Sequence, residues 1–160
     1  MSASIRPLEP ADVEPVVQLS LRAWAPVFDS LRSALGMGLF SRMHPDWRQD
    51  QRRAVEEACG DEQLTVSVAE IEGDVVGFTA IRTDAESRLG EIHMIAVDPD
   101  HQRRGIGASL TREALEQLAE AGMTIAMVET GGDPGHAPAR ATYEQADFTL
   151  LPIARYFKVL

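Results

Sequence analysis

Cysteine is nearly missing from this chain. Cys59 stands alone among 160 residues, which excludes an internal disulfide and the thiolate-rich zinc sites that need several such ligands. It also makes a poor nucleophile, because its neighbours in AVEEACGDE are acidic and nearby negative charge raises a thiol pKa and withholds the thiolate. Long hydrophobic runs are absent as well. No stretch approaches the roughly 20 apolar residues of a membrane span, and MSASIRPLEPADVEP has no apolar core of the kind a signal peptide carries. The expectation is a cytoplasmic protein without membrane association. Excess positive charge is lacking too, with 15 Lys and Arg against 25 Asp and Glu and a net charge of −10. Nucleic acids and anionic membranes bind basic surfaces, so neither is an expected partner, whereas a cationic one is compatible with this balance. Repeats, low-complexity tracts and interdomain linkers are not seen, and 160 residues suit one domain, 1–160, with its own core.

What is present is a change of hydrophobic period along the chain. SIRPL reads as a short strand. Val13, Val16, Val17, Leu21 and Trp24 recur at helical spacing after Pro10, and Pro26 is expected to break that helix. A short helix ending near Gly36 and another from Pro45 or Asp46 to Gly60 should follow. QLTVSVAEI then reads as a strand, with Glu72-Gly73-Asp74 as a hairpin turn and VVGFTAIRT returning. RLGEIHMIAV is apolar on both sides and should be a central, buried strand. Gly105 to Ala121 carries Ile106, Leu110, Ala114 and Leu118 in one stripe, with Gly122 as its stop. TIAMVET should be the parallel neighbour of RLGEIHMIAV, since a helix connects the two. A helix from about Pro138 to Ala146 and a last strand near IARYFKVL complete an α/β domain of mixed sheet.

Between the third strand and the clearest helix lies VDPDHQRRGIG. A loop that leaves a buried strand and turns directly into a helix points unpaired amides at whatever fills its mouth. Gly105 and Gly107 let the backbone approach a ligand, and Arg103 and Arg104 add positive charge. The ligand expected is a pyrophosphate. A P-loop would need Lys-Ser/Thr after its second glycine, where this chain has Ala108-Ser109, and a dinucleotide-binding turn would need a third glycine.

Gln102-Arg103-Arg104-Gly105-Ile106-Gly107 resembles the Q/R-x-x-G-x-G/A loop of the GNAT superfamily of acyl-CoA-dependent N-acyltransferases, with Ile95-Ala96-Val97 and Asp98-Pro99 as a matching lead-in. HAPARATYEQADF resembles that family's N-x-x-A-x-x-x-Y-E-K-x-G-F segment through Ala139, Tyr143, Glu144 and Phe148. His136 stands where the family usually has Asn, and Asp147 where it usually has Gly, though Asp tolerates left-handed backbone. The resemblance covers almost the whole chain. It implies a GNAT fold with a mixed sheet of about six to seven strands, about four to five helices, and a splayed parallel strand pair that admits acyl-CoA. It also implies acetyl-CoA as cosubstrate, without a metal. The cofactor-binding residues would be Ile95, Ala96, Val97, Gln102, Arg103, Arg104, Gly105, Ile106, Gly107, Ala108, His136 and Arg140.

Acyl transfer to an amine requires a base, a polarised thioester carbonyl and a proton for the leaving thiolate. By resemblance, Glu91 holds the place of the strand glutamate that serves some family members as base. Its position at the start of a buried strand suits it independently, through partial desolvation. His93 shares its face by period-two alternation and could relay the proton or act as base itself, and Tyr143 matches the tyrosine that protonates the thiolate. A backbone amide near Ile95 or Ala96 would polarise the carbonyl. Trp24, Phe28 and His44 belong to an aromatic segment suited to a small, partly apolar amine. The expected function is N-acetylation of a primary amine on a small molecule. A protein lysine or N-terminal acceptor, a non-catalytic acyl-CoA sensor and a homodimer stay open.

Overall fold

The structure, a computed structural model, describes residues 2–160. The chain forms β1 (Ser4–Pro7), α1 (Val13–Met43), α2 (Trp47–Gly60), β2 (Leu64–Ile71), β3 (Asp74–Asp84), β4 (Leu89–Val97), α3 (Ile106–Glu120), β5 (Ile125–Val128) and α4 (Ala137–Gln145). The five strands make one mixed sheet in the order β1-β2-β3-β4-β5. Each neighbouring pair is antiparallel except β4 and β5, which run parallel across the α3 crossover. The β2–β3 hairpin turns through Glu72 (φ 53) and Gly73 (φ 91), the left-handed pair that a two-residue turn matched to strand twist requires.

Helices cover both faces of the sheet. On one face Val16, Val17 and Leu19 of α1 and Val55 of α2 pack against Val66, Val68, Phe78, Ala80 and Ala96. On the other, the α3 stripe meets the sheet in two clusters: Ile106 and Leu110 over Ala69 and Val76, and Ala114 and Leu118 over Ile81 and Ile92. The β4–α3 contact is close enough to dictate a glycine. A Cβ at Gly90 would collide with both Leu118 methyls and sit 3.0 Å from its Cγ, and Leu118 is only 2% exposed. Gly90→Ala is therefore expected to cost about 1–3 kcal/mol through overpacking, read as a fall of several degrees in melting temperature.

Three expectations need correction. Pro26 does not break the first helix: the helix passes through it and is interrupted only at Gly36 (φ 74, ψ 160), where a helix end was expected, before a further helical stretch completes α1 to Met43. A helical proline loses one hydrogen bond and crowds the preceding turn, at about 3 kcal/mol. Here the ring is exposed while Val27, Phe28 and Leu31 beyond it stay half-buried, so packing of the second half outweighs that penalty. RLGEIHMIAV is next to the edge, and β3 takes the centre. The last strand near IARYFKVL does not form, and residues 148–160 carry neither helix nor strand. A strand needs a partner edge, and β5 offers only 4 residues.

Candidate functional site

The loop between β4 and α3 is pinned at its base. The amide of Asp98 donates to the Val76 carbonyl at 2.8 Å, the Asp98 carboxylate accepts from the Asp100 amide at 2.9 Å, and Arg22 of α1 pairs with Asp98. Gln102 Nε2 donates to the Val97 carbonyl at 3.2 Å. Beyond that base the backbone turns left-handed at Arg103 (φ 60) and again at Gly105 (φ 79), which caps α3. Among the described residues, the amides of residues 103–108 donate to no protein acceptor, and the first bond into the helix runs from Ser109 to the Gly105 carbonyl. Arg103 and Arg104 are exposed and have no acidic partner among the described residues. A Cβ at Gly105 would touch nothing within 4 Å, and one at Gly107 would come no nearer than 3.8 Å to Val97. Space is open in front of a row of unpaired N–H groups at a helix N-terminus, flanked by two guanidinium groups. That combination fits a pyrophosphate.

Next to this cradle the sheet forks. Pairing between β4 and β5 ends at Ile92 opposite Val128, while β4 continues to Val97 against β3 alone. Among the described residues, the backbone edge of residues 93–97 that faces away from β3 thus has no strand partner, and alternation puts the amide of either Ile95 or Ala96 on it. The register of β4 slips where Ala80 faces Met94 and Ile81 faces Ile92, leaving His93 as the extra residue of a bulge. After the bulge Met94 and Ala96 join the α1–α2 core, whereas Ile95 packs toward α3. His93 was expected beside Glu91 by alternation. The two are neighbours, with Nδ1 of His93 3.7 Å from the Glu91 carboxylate, and the bulge changes the face of the residues that follow them. The Glu91 side chain is 28% exposed and faces Arg82 at 3.6 Å.

α4 closes the far side. Tyr143 is buried, and burial pushes its hydroxyl from the ordinary 10.0 up to about 12. Its ring packs edge-on to Phe148 at 5.8 Å, and its hydroxyl makes no hydrogen bond among the described residues. Asp147 takes the left-handed turn (φ 62) expected of a glycine substitute. Arg140 binds the loop before α4, donating to the carbonyls of Gly131 at 2.6 Å and Asp133 at 2.8 Å. His136 caps α4 and contacts the Asp133 carboxylate through Nδ1 at 2.5 Å. The aromatic residues of the helical segment pack on one another: Phe28 stacks on Trp47 at 4.4 Å and meets His44 edge-on at 5.3 Å. Trp24 joins the main core instead. Cys59 is half-buried, and burial, then the charge of Asp12, pushes its thiol pKa up.

Sequence reasoning passed over Ser30 and Asp133. Ser30 Oγ on α1 donates to Asp133 at 2.5 Å across 103 residues, a separation no local pattern announces. The available signal was the glycine-rich run GGDPGH, whose tight packing the structure explains below. No helix among the described residues is long and apolar enough to cross a membrane.

A family model for the acetyltransferase (GNAT) family matches residues 25–148. The chain is 34% identical over 109 residues to a mycothiol acetyltransferase of Streptomyces bingchenggensis, covering 66% of this chain and 35% of that protein, so it spans about a third of that relative's length. In structure it resembles an aminoglycoside antibiotic 6'-N-acetyltransferase from Acinetobacter haemolyticus, with a TM-score of 0.68 at 14% identity over 98% of both chains. It also resembles a GNAT family acetyltransferase from Brucella melitensis in complex with acetyl-CoA, with a TM-score of 0.60 at 24% identity over 81% of this chain and 77% of the other. At these identities the structural likeness is one of fold.

Proposed function

Because the chain belongs to the acetyltransferase (GNAT) family, we propose that it is an N-acetyltransferase that moves an acetyl group from acetyl-CoA directly to a primary amine on a small molecule. The observation that carries this reading is the row of unpaired amides at residues 103–108, flanked by Arg103 and Arg104 and facing open space. Acetyl-CoA brings an activated thioester and a pyrophosphate handle. The loop residues Gln102 to Ala108 hold that handle, and Val97 closes the strand leading to it. The free edge of β4, at Ile95 or Ala96, supplies an amide to the carbonyl oxygen, where charge develops in the transition state.

An alkyl ammonium, with a pKa near 10.4, must lose a proton before it can attack. Glu91, half-shielded on the α1 side of the fork with His93 beside it, takes that proton. Tyr143 supplies one to the departing sulfur, which a neutral phenol does without prior ionisation. Phe28 and His44, held together with Trp47 between α1 and α2, border the side from which the acceptor enters. The α1–α2 hairpin covers one face of the sheet, which favours a small acceptor over a protein segment laid in an open groove.

Tyr143→Phe should lower kcat by about 100-fold and change stability in one pH window only. Burial raises the folded-state pKa to about 12. The wild-type fold therefore holds this proton more tightly than the unfolded chain does, and loses that contribution as pH rises from about 10 toward about 12. The Phe variant should lack this loss in melting curves taken across that range.

The overall test is release of free thiol from acetyl-CoA across a panel of primary amines and lysine- or N-terminus-bearing peptides. Release with one class of small amine supports the proposal, release with peptides alone would replace the acceptor class, and binding without release from any would indicate a sensor.

A further inference from the structure

The loop between β5 and α4 is built around a contact that the acetyltransferase reading does not use. Asp133 sits at the hub. Its Oδ1 meets Nδ1 of His136 at 2.5 Å, and its Oδ2 accepts from Ser30 Oγ at 2.5 Å and from the Gly135 amide at 3.2 Å. Ser30 Oγ in turn accepts from the Gly135 amide at 2.9 Å. The side chain of Asp133 is 10% exposed and that of His136 19%. Burial pushes the Asp133 carboxyl up, but the donors Ser30 and His136 outweigh it, and the pKa lies below its ordinary value. Arg140 of α4 reaches back to this loop and is occupied with the Gly131 and Asp133 carbonyls, and Glu129 at the start of the loop pairs with Arg155.

Two glycines exist to make room for the arrangement. A Cβ at Gly131 would strike the His136 ring, 2.5 Å from Nδ1 and 2.8 Å from Cε1, and one at Gly135 would strike Ser30, 2.6 Å from its Cβ. Neither glycine has a positive φ, so space rather than backbone conformation demands them. Among the described residues, His136 Nε2 has no hydrogen-bond partner, and it is not sealed from solvent. It belongs to the segment that leaves β5 where the fork with β4 opens.

We propose that Ser30 and Asp133 are positioning residues that fix His136 with its proton on Nδ1, leaving the Nε2 lone pair to accept a proton from the acceptor nitrogen as the amide forms. The logic is that of any imidazole whose tautomer is set by a carboxylate behind it. The inference rests on the acetyltransferase reading. Glu91 removes the ammonium proton before attack. As the C–N bond forms and the thioester C–S bond breaks, the nitrogen passes its second proton to Nε2, while the sulfur takes one from the Tyr143 hydroxyl. Glu91 and the imidazolium then each release a proton to solvent and the phenolate recovers one, a net release of one proton that leaves all three groups as they began.

Two measurements test this. Nitrogen-detected NMR of the wild-type protein at a pH where His136 is neutral should show the Nδ1–H tautomer, and Asp133→Asn should lose that preference. In steady-state assays His136→Gln should reduce kcat by about 30-fold or more and Asp133→Asn by about 10-fold. Asp133→Asn also weakens buried hydrogen bonds and should melt lower than wild type, so rates are compared below every melting point, where both variants should lower kcat by more than they raise the KM for acetyl-CoA, a split that a purely structural role would not give. A neutral His136 protonated on Nε2, or a His136→Gln variant that keeps its kcat, overturns the proposal. Failure of the acetyltransferase reading shows separately, as absence of acetyl-CoA binding by the wild-type protein. That result removes the proton transfer, while the tautomer still decides the positioning contact.

Discussion

Gly105→Glu should abolish measurable acetyl-CoA binding while leaving the fold intact. Two effects act at this position. Gly105 holds φ 79 at the cap of α3, a conformation that costs an L-residue about 1–2 kcal/mol, so a side chain pulls the loop away from the geometry that aligns the amides of residues 103–108. The carboxylate also places negative charge where the pyrophosphate would sit, between Arg103 and Arg104, and cancels the attraction of the helix N-terminus. Together these predict a loss of affinity of about 100-fold or more, equivalent to about 2.8 kcal/mol. The global cost is small, because a Cβ here meets no protein atom within 4 Å. Titration calorimetry reads the affinity and a melting curve supplies the control. A variant that melts within a few degrees of wild type and still binds acetyl-CoA normally would remove the loop from the site.

Glu91→Gln is the second large effect. The substitution keeps the shape of a side chain that is 28% exposed and removes only its capacity to take a proton. Loss of a positioned general base typically costs 10²–10⁴-fold. Exposure and the nearby His93, at 3.7 Å, place the expectation at the low end, about 100-fold in kcat. Acetyl-CoA affinity should not move, because Glu91 alternates with Ile92, which packs under α3, and so faces away from Val97 on the α3 side. Unchanged turnover in Glu91→Gln, with loss in His93→Gln, would move the base two residues along β4 to His93.

The parts of this fold that local chemistry encodes were legible. The α3 stripe, the left-handed stop at Gly122 and the hairpin at Glu72-Gly73 each depend on residues a few positions apart, and the structure has them where the pattern put them. The path of the β4–α3 loop was legible for the same reason: a strand end, two glycines and a helix start are contiguous. Pro26 misled because its cost is local while the packing that outweighs it, such as Phe28 onto Trp47, comes from elsewhere in the chain. The His93 bulge left no mark, since one extra residue in a strand keeps the same composition and only shifts which side chains face each helix layer. Ser30 and Asp133 were invisible because their meeting depends on how α1 crosses the β5–α4 loop. Period-two and period-3.6 patterns report which face a residue occupies, and they say nothing about which distant residue it touches.

The central claim is that the β4–α3 loop binds coenzyme A by its pyrophosphate. Titrating the wild-type protein with acetyl-CoA and, separately, with acetyl-pantetheine, which keeps the thioester arm but lacks the pyrophosphate, tests that claim most directly. The prediction is saturable heat with acetyl-CoA and none with acetyl-pantetheine at the same concentrations. Equal binding of the two ligands, or binding of neither, would contradict it.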